Sequence, residues 1–293
     1  MANTKEIQDR IKSINDTLKI TNAMYMISSS KLKKSKKMLS DTEPYFFTLQ
    51  SEMSRILRHI PDISSIYFKT NEDKDAADKK VGYIVITADK GLAGSYNHNV
   101  LKIAQEHHCS YLFEASVGGG IPIIRPLCTS LAQERIESIT GILNGTTNYI
   151  LSKMENEGAD FETVLKRAQE KGYAERNPEA DVCGYDAGRK IAILTSLAYG
   201  KNVDFADLYV EGITQITRMD FAYAKKLGTT IKLFAKSQCI DGKYYAMVAP
   251  FMVTADNPLY AVQNVFNAIL VHGNMVGDTM YYGKGAGKLA TAS

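Results

Sequence analysis

Apolar residues recur at Ile7, Ile11, Ile14, Leu18, Tyr25 and Leu32, on alternating steps of four and three, and Thr21 and Ser28 fill the two remaining seam positions. This is the heptad stripe of one long, coiled-coil-type helix, predicted from residue 3 to about 58. The opposite face carries KLKKSKK, residues 31–37, which reads as a solvated basic face. Pro44 interrupts the pattern in DTEPYF, the helical spacing resumes through LQSEMSRILRHI, and Pro61 ends it.

Residues 69–80, KTNEDKDAADKK, hold no apolar residue larger than alanine and predict an exposed linker. VGYIVIT, residues 81–87, reads as a short buried strand, and ADKGLAGSYN as the turn behind it; together they open an α/β unit. The character changes near residue 110. YLFEASV (111–117) predicts a strand and GGGIP (118–122) a sharp turn. DFETVLKRAQEKG and DAGRKIAILTSLAYG predict helices capped by Asp160 and Asp186. TTIKLFAKSQ and KYYAMVAPFMV pair as a hairpin around Asp241-Gly242, and MYYGKGAGKLATAS ends in a glycine-rich loop whose GKGAG follows a possible strand.

The 293 residues suffice for two domains, and 45% hydrophobic with 23% charged residues is the balance of a soluble globular chain. A net charge of +3 points to no nucleic-acid partner, although residues 1–40 hold nine Lys and Arg against three Asp and Glu. No apolar run approaches the roughly 20 residues that span a bilayer, and the polar opening MANTKEIQDR lacks a signal peptide's apolar stretch. Cys109, Cys128, Cys183 and Cys239 form no CxxC pair and fit a reducing, cytoplasmic setting. Adjacent His107 and His108 point apart on any regular element and read as a polar turn or helix end rather than a metal site.

Two glycine-rich stretches fail as nucleotide sites. GKGAGK (283–288) is one residue short of a phosphate-binding loop and has Leu289 where a magnesium-binding hydroxyl belongs. GLAGS (91–95) has the wrong spacing for a dinucleotide fingerprint, so no complete Rossmann domain is expected.

GYAERNPEADVCGYDAGRK (172–190) sets Glu175, Glu179, Asp181 and Asp186 ahead of Lys190, a pattern suited to holding a small polar amine and moving a proton. Together with FEASVGGGIPII (113–124), GILNGTTNYIL (141–151) and GKGAGKLATAS (283–293), it gives residues of about 109–293 a close resemblance to the catalytic domain of homoserine dehydrogenase. Residues 1 to about 103 resemble the gamma subunit of the rotary ATP synthase, through NTKEIQDRIKSINDTLKITNAMYMISSSKLKKSKK and ITADKGLAGSYNHNV. The two resemblances meet within LKIAQEHH, residues 101–108. The fold implied is α+β: a mixed sheet with helices on one face, preceded by the long helix and a short βα fragment.

The first resemblance implies NAD(P)-dependent interconversion of L-homoserine and L-aspartate 4-semialdehyde, in threonine and methionine biosynthesis. It assigns Lys190 as the proton carrier and Asp186 as the residue that orients it; four residues apart on one helix, the two share a face. Glu175 and Asp181 match the positions that hold the substrate ammonium, and Glu179 reads as a solvated charge. Gly145 and Thr146 match the turn near nicotinamide and substrate, with a plain helix-capping role for Asn144 or Thr146 as the alternative. Gly285 and Gly287 match a returning loop at the cofactor. Glu114, Val117, Gly119 and Ile121 match backbone ligands of a monovalent cation such as sodium. A homodimer through paired sheets is implied. The second resemblance implies the ATP synthase alpha and beta subunits as partners of the long helix, at the membrane periphery. A second lysine of the homoserine dehydrogenase cleft belongs to the nucleotide domain, whose place before residue 110 carries rotor-like sequence; homoserine oxidation by this chain is expected to be weak or absent.

Overall fold

The computed structural model describes residues 4–61, 81–87 and 94–286, in two compact units divided at Ala88/Asp89. The first unit is dominated by helix α1, Thr4–His59. Its 56 residues, at about 1.5 Å rise each, extend about 84 Å. Glu6 in the first turn and Arg58 and His59 in the last complement the helix dipole. The predicted interruption at Pro44 does not occur: the helix runs through it. A proline costs a helix one N–H donor and some bending without having to end it, even between neighbours such as Thr42, Tyr45 and Phe46 that are indifferent helix formers. The heptad stripe is uncovered, with Ile14 65% and Tyr25 72% exposed.

Residues 81–87 form no strand, contrary to the sequence reading. Ile84 is 96% exposed and Ile86 82%. An apolar strand of this kind is stable only with neighbours on both edges and cover on both faces, and no strand pairs with it among the described residues.

The second unit begins with α2, Tyr96–Glu106, and is built on a six-stranded sheet in the order β2-β4-β3-β1-β5-β6. The strands are β1 (Ile136–Ile142), β2 (Tyr209–Val210), β3 (Thr229–Ile240), β4 (Lys243–Thr254), β5 (Phe266–Gly273) and β6 (Gly277–Lys284). All neighbours are antiparallel except β2 and β4, which makes the sheet mixed. The predicted hairpin is present: β3 and β4 pair from Thr229↔Thr254 to Ile240↔Lys243, and Asp241 (φ 50°) and Gly242 (φ 74°) take the left-handed conformations of a tight two-residue turn.

Period-two alternation sorts the sheet's two faces. Ile231, Leu233 and Ala235 of β3 and Ile269 and Val271 of β5 face the main core. Helices α4 (Gly145–Glu157), α5 (Phe161–Glu170), α7 (Tyr185–Tyr199) and α8 (Arg218–Lys226) cover that side, through Ile150, Val164, Ile191 and Phe221. Phe234 and Ala268 point the other way, under Leu259 and Val262 of the β4–β5 connection. Asp160 caps α5 as predicted, accepting from the Thr163 N–H at 2.8 Å.

Residues 111–117 are not the predicted strand. Leu112 is 90% exposed, and from residue 115 the chain turns on itself with Gly118 (φ 78°) and Gly119 (φ 57°). Glu114 explains the departure. Its carboxylate accepts from the N–H groups of Ile123 and Ile124 at 2.7 Å and of Arg125 at 2.8 Å, at the start of the short helix α3 (Ile124–Cys128). A strand would carry Glu114 away from those donors.

Candidate active site

β1 runs into α4 through Leu143 and Asn144. Asn144 is the N-cap, and its Oδ1 accepts from Thr147 N at 2.9 Å and Thr147 Oγ1 at 3.1 Å. Its Nδ2 donates to Asp181 Oδ1 at 2.7 Å and to Asp186 Oδ2 at 3.0 Å. One amide thus joins the start of α4 to two carboxylates from α6 (Glu179–Val182) and α7. Lys190 Nζ donates to Asp186 Oδ2 at 2.6 Å and to the Leu143 carbonyl at 2.9 Å.

Asp186 is not the cap of α7, as the sequence reading had it. Gly184 is, at φ 81°, and Asp186 lies within the first turn. A Cβ at Gly184 would stand 3.2 Å from Val210 and 3.3 Å from the Glu211 carbonyl, so close packing fixes the helix start just ahead of Asp186. The carboxylate of Asp186 is thereby free for Lys190 and Asn144.

Asp181 has its pKa pushed up. Burial is the main cause; the hydrogen bond from Asn144 opposes it, the carboxylates of Asp186 and Glu175 add to it, and the Lys190 ammonium opposes it. Glu175 is exposed on the loop after α5, whose course Gln169 fixes by donating to the Glu175 carbonyl at 3.1 Å. Three carboxylates therefore act around one ammonium, an excess of negative charge suited to a second cation. Glu179 is exposed in the first turn of α6.

Gly145 and Thr146 form the half-buried first turn of α4. Thr146 Oγ1 donates to the Tyr173 carbonyl at 2.7 Å, tying α4 to the loop that carries Glu175. A Cβ at Gly145 would stand 2.8 Å from the Val265 carbonyl. Gly285 follows β6 and lies against Gly119, where a Cβ would come within 2.5 Å of the Gly285 carbonyl. Gly287 lies outside the described residues. Val117 and Ile121 are buried, and among the described residues no hydrogen bond reaches the carbonyls of Val117, Gly119 or Ile121; that of Glu114 receives one long bond, from Val117 N at 3.5 Å. Among the described residues no group of His, Cys, Asp or Glu side chains is placed to hold a metal ion, and no helix is long and apolar enough to cross a membrane.

Sequence reasoning gave Asn144 only a capping role. Its second role, bridging Asp181 and Asp186, depends on contacts 37 and 42 residues away that no local pattern announces.

A family model described as homoserine dehydrogenase matches residues 122–293, and one described as ATP synthase matches residues 3–116. A homoserine dehydrogenase of Bacillus subtilis is 48% identical over 209 residues, 71% of this chain and 48% of the relative. One of Neisseria gonorrhoeae is 41% identical over 233 residues, 79% of this chain and 54% of the relative. The crystal structure of a homoserine dehydrogenase from Thiobacillus denitrificans aligns with a TM-score of 0.65 at 43% identity, covering 70% of this chain and 48% of that one. A hyperthermophilic archaeal homoserine dehydrogenase mutant in complex with NADPH aligns with a TM-score of 0.56 at 30% identity, covering 67% and 56%. The chain spans about half the length of the curated relatives it matches.

Proposed function

This chain belongs, over residues 122–293, to the homoserine dehydrogenase family, and on that premise we propose that residues 109–293 serve the NAD(P)-dependent interconversion of L-homoserine and L-aspartate 4-semialdehyde. The observation that carries the reading is the pairing of Lys190 with Asp186 at 2.6 Å beside Asp181, all joined through Asn144.

Each residue then has a task. Asp181 and Glu175 hold the ammonium of homoserine, since two carboxylates near one cation outweigh the local Lys190 charge. Lys190 takes the hydroxyl proton in the oxidative direction and returns it in the reductive one. Asp186 fixes the direction of the Lys190 side chain, and the Leu143 carbonyl fixes its height in the site. The N–H groups at the start of α4, with Gly145 and Thr146, favour a negative or carbonyl group of the ligand. Bound NAD(P) supplies the hydride acceptor or donor; of the described residues, Gly285 and the first turn of α4 suit its nicotinamide end, and Gly287 is assigned with them from the family motif.

A monovalent cation such as sodium fits the carbonyls of Glu114, Val117, Gly119 and Ile121, three of which take no hydrogen bond among the described residues. Dimerisation through the sheet is supported by apolar side chains on its outer side, Met280 at 40% and Tyr282 at 55% exposure. A cytoplasmic location suits four free cysteines, two of them exposed. The test of the main reading is isothermal titration of homoserine into the protein with Glu175→Gln and Asp181→Asn for comparison; no measurable heat at millimolar ligand would end it.

A second reading covers residues 1–103 as an ATP synthase gamma-type rotor segment that meets the alpha and beta subunits. It is supported by the 56-residue helix with its uncovered heptad stripe and by the family match at residues 3–116. Co-sedimentation with assembled alpha and beta subunits tests it, and failure to associate at micromolar concentration rejects it.

A further inference from the structure

Asn267 lies on the helix-facing side of β5, 1% exposed, and neither its Oδ1 nor its Nδ2 has a hydrogen-bond partner among the described residues. A buried amide in this state is costly, and an apolar side chain of the same size would suit the strand better. Its surroundings give it a purpose. A Cβ added to Gly285 would stand 2.0 Å from Asn267 Nδ2, and one added to Gly145 would stand 3.5 Å from Oδ1. The amide is therefore wedged between the first residue of α4 and the segment leaving β6. That segment in turn presses on the loop after Glu114: the Gly285 carbonyl fills the space beside Gly119, and Gly120 N donates to the Lys284 carbonyl at 3.2 Å. On the other side, Gly145 adjoins Asn144, the hub of the carboxylate cluster.

We propose that Asn267 is a positioning residue that couples the ligand-facing start of α4 to residues 284–286. With the site loaded, Oδ1 accepts from the Gly145 N–H and Nδ2 donates to a backbone carbonyl of residues 284–286. The unpaired amide is the open half of this latch. Ligand at the first turn of α4 then orders the segment that carries Gly285, and that segment holds the Gly119 turn. A residue kept only for packing would not leave both ends of a buried amide unpaired at the junction of three close-packed glycines. The assignment rests on the homoserine reading of the site, and the test separates the two.

The experiment compares the full chain with Asn267→Leu, using homoserine as the probe. Thermal melting, calorimetric titration and backbone hydrogen exchange are read together. Asn267→Leu is expected to melt at the same temperature or higher, yet to bind homoserine about tenfold more weakly, and to lose the homoserine-induced protection of residues 118–121 and 282–286. A purely structural asparagine gives the reverse: a melting point that moves while affinity and protection stay as in the parent, which overturns the proposal. Should the parent bind no homoserine, the substrate reading falls, and Asn267 is judged on ligand-free exchange alone. There the latch is open, so the proposal requires an unchanged exchange rate at Gly120 in the leucine variant, and faster exchange, the mark of a bond the asparagine makes without ligand, overturns it. Asn267→Ser, smaller and still polar, takes the same measurements if the leucine variant fails to fold.

Discussion

Lys190 Nζ lies 2.6 Å from Asp186 Oδ2, one turn along α7, with both side chains less than a third exposed. The pair is bracketed by two fixed groups, the Leu143 carbonyl on the lysine and the Asn144 amide on the aspartate, so neither side chain is free to swing out to water without breaking a second bond. Lys190→Met leaves Asp186 without its cation, and Asp186→Asn leaves Lys190 without its anion. Each single change is expected to cost about 1–2 kcal/mol, more than an exposed pair and less than a fully buried one. In a double-mutant cycle by urea denaturation the two losses fall short of additive by about 1 kcal/mol. Full additivity would show that the 2.6 Å contact carries no energy.

The raised pKa of Asp181 sets a pH dependence with a definite sign. Its ordinary value is 3.8, and burial moves the folded value above that. Between the two values the folded chain holds a proton that the unfolded chain has released, so stability falls as pH rises through the window and stays lower above it. Asp181→Asn keeps an oxygen for the Asn144 amide and removes the charge. The variant is expected to melt higher than the parent at pH 7, with the difference vanishing near pH 3.8, while its affinity for homoserine falls. A melting advantage that persists at the acidic end would assign the effect to something other than the carboxylate charge.

The helix at 161–170, the hairpin at Asp241-Gly242 and the long N-terminal helix were legible because each rests on local chemistry: a cap, a turn residue, a repeating stripe; the helix at 185–199 was read as a helix but with Asp186 as its cap in place of Gly184. The failures share a different cause. VGYIVIT has the composition of a buried strand, but strand formation depends on neighbours that its own seven residues do not contain. YLFEASV failed because the Glu114 carboxylate is drawn to three N–H groups about ten residues away. In the site, the contact of Lys190 with Asp186 follows from i, i+4 spacing, whereas the roles given to the two residues come from the family resemblance. The bridging of Asn144 and the stranded amide of Asn267 are tertiary facts, seen only when α4, α7 and β5 are brought together.

Lys232 is 1% exposed in β3, where its Nζ donates to the Val262 carbonyl at 2.7 Å. Burial pushes its pKa below 10.5, opposed by the field of Glu155. Between the lowered value and 10.5 the unfolded chain binds the extra proton, so this residue's contribution to stability improves as pH rises through that window. Lys232→Met should fill the same space without a charge, and the Val262 carbonyl keeps the Asn148 amide as a donor at 3.4 Å. The variant is expected to gain about 1–2 kcal/mol at neutral pH, with the gain shrinking toward pH 10.5. A loss of stability at pH 7 in urea denaturation would mean that the hydrogen bond to Val262 outweighs the buried charge.

The last prediction concerns turnover by the 293-residue polypeptide. Hydride transfer requires donor and acceptor carbons held about 3–3.5 Å apart, and most of the orienting energy for a dinucleotide comes from contacts to its phosphates and ribose. The described residues before 109 provide helices α1 and α2 and a stretch, 81–87, that forms no strand, and GLAGS lacks the spacing of a dinucleotide fingerprint. On the proposed reading the carboxylates of Asp181 and Glu175 and the Lys190–Asp186 pair bind homoserine, but binding the substrate without orienting the nicotinamide lowers no barrier. The polypeptide is therefore expected to bind homoserine in calorimetry and yet to turn it over at less than about a thousandth of the ~10 s⁻¹ common among enzymes, followed as NAD(P)H absorbance at millimolar homoserine. Lys190→Ala is the control. Turnover near one per second, abolished by that substitution, would mean that residues of this chain orient the nucleotide by a route other than a strand-and-turn phosphate site.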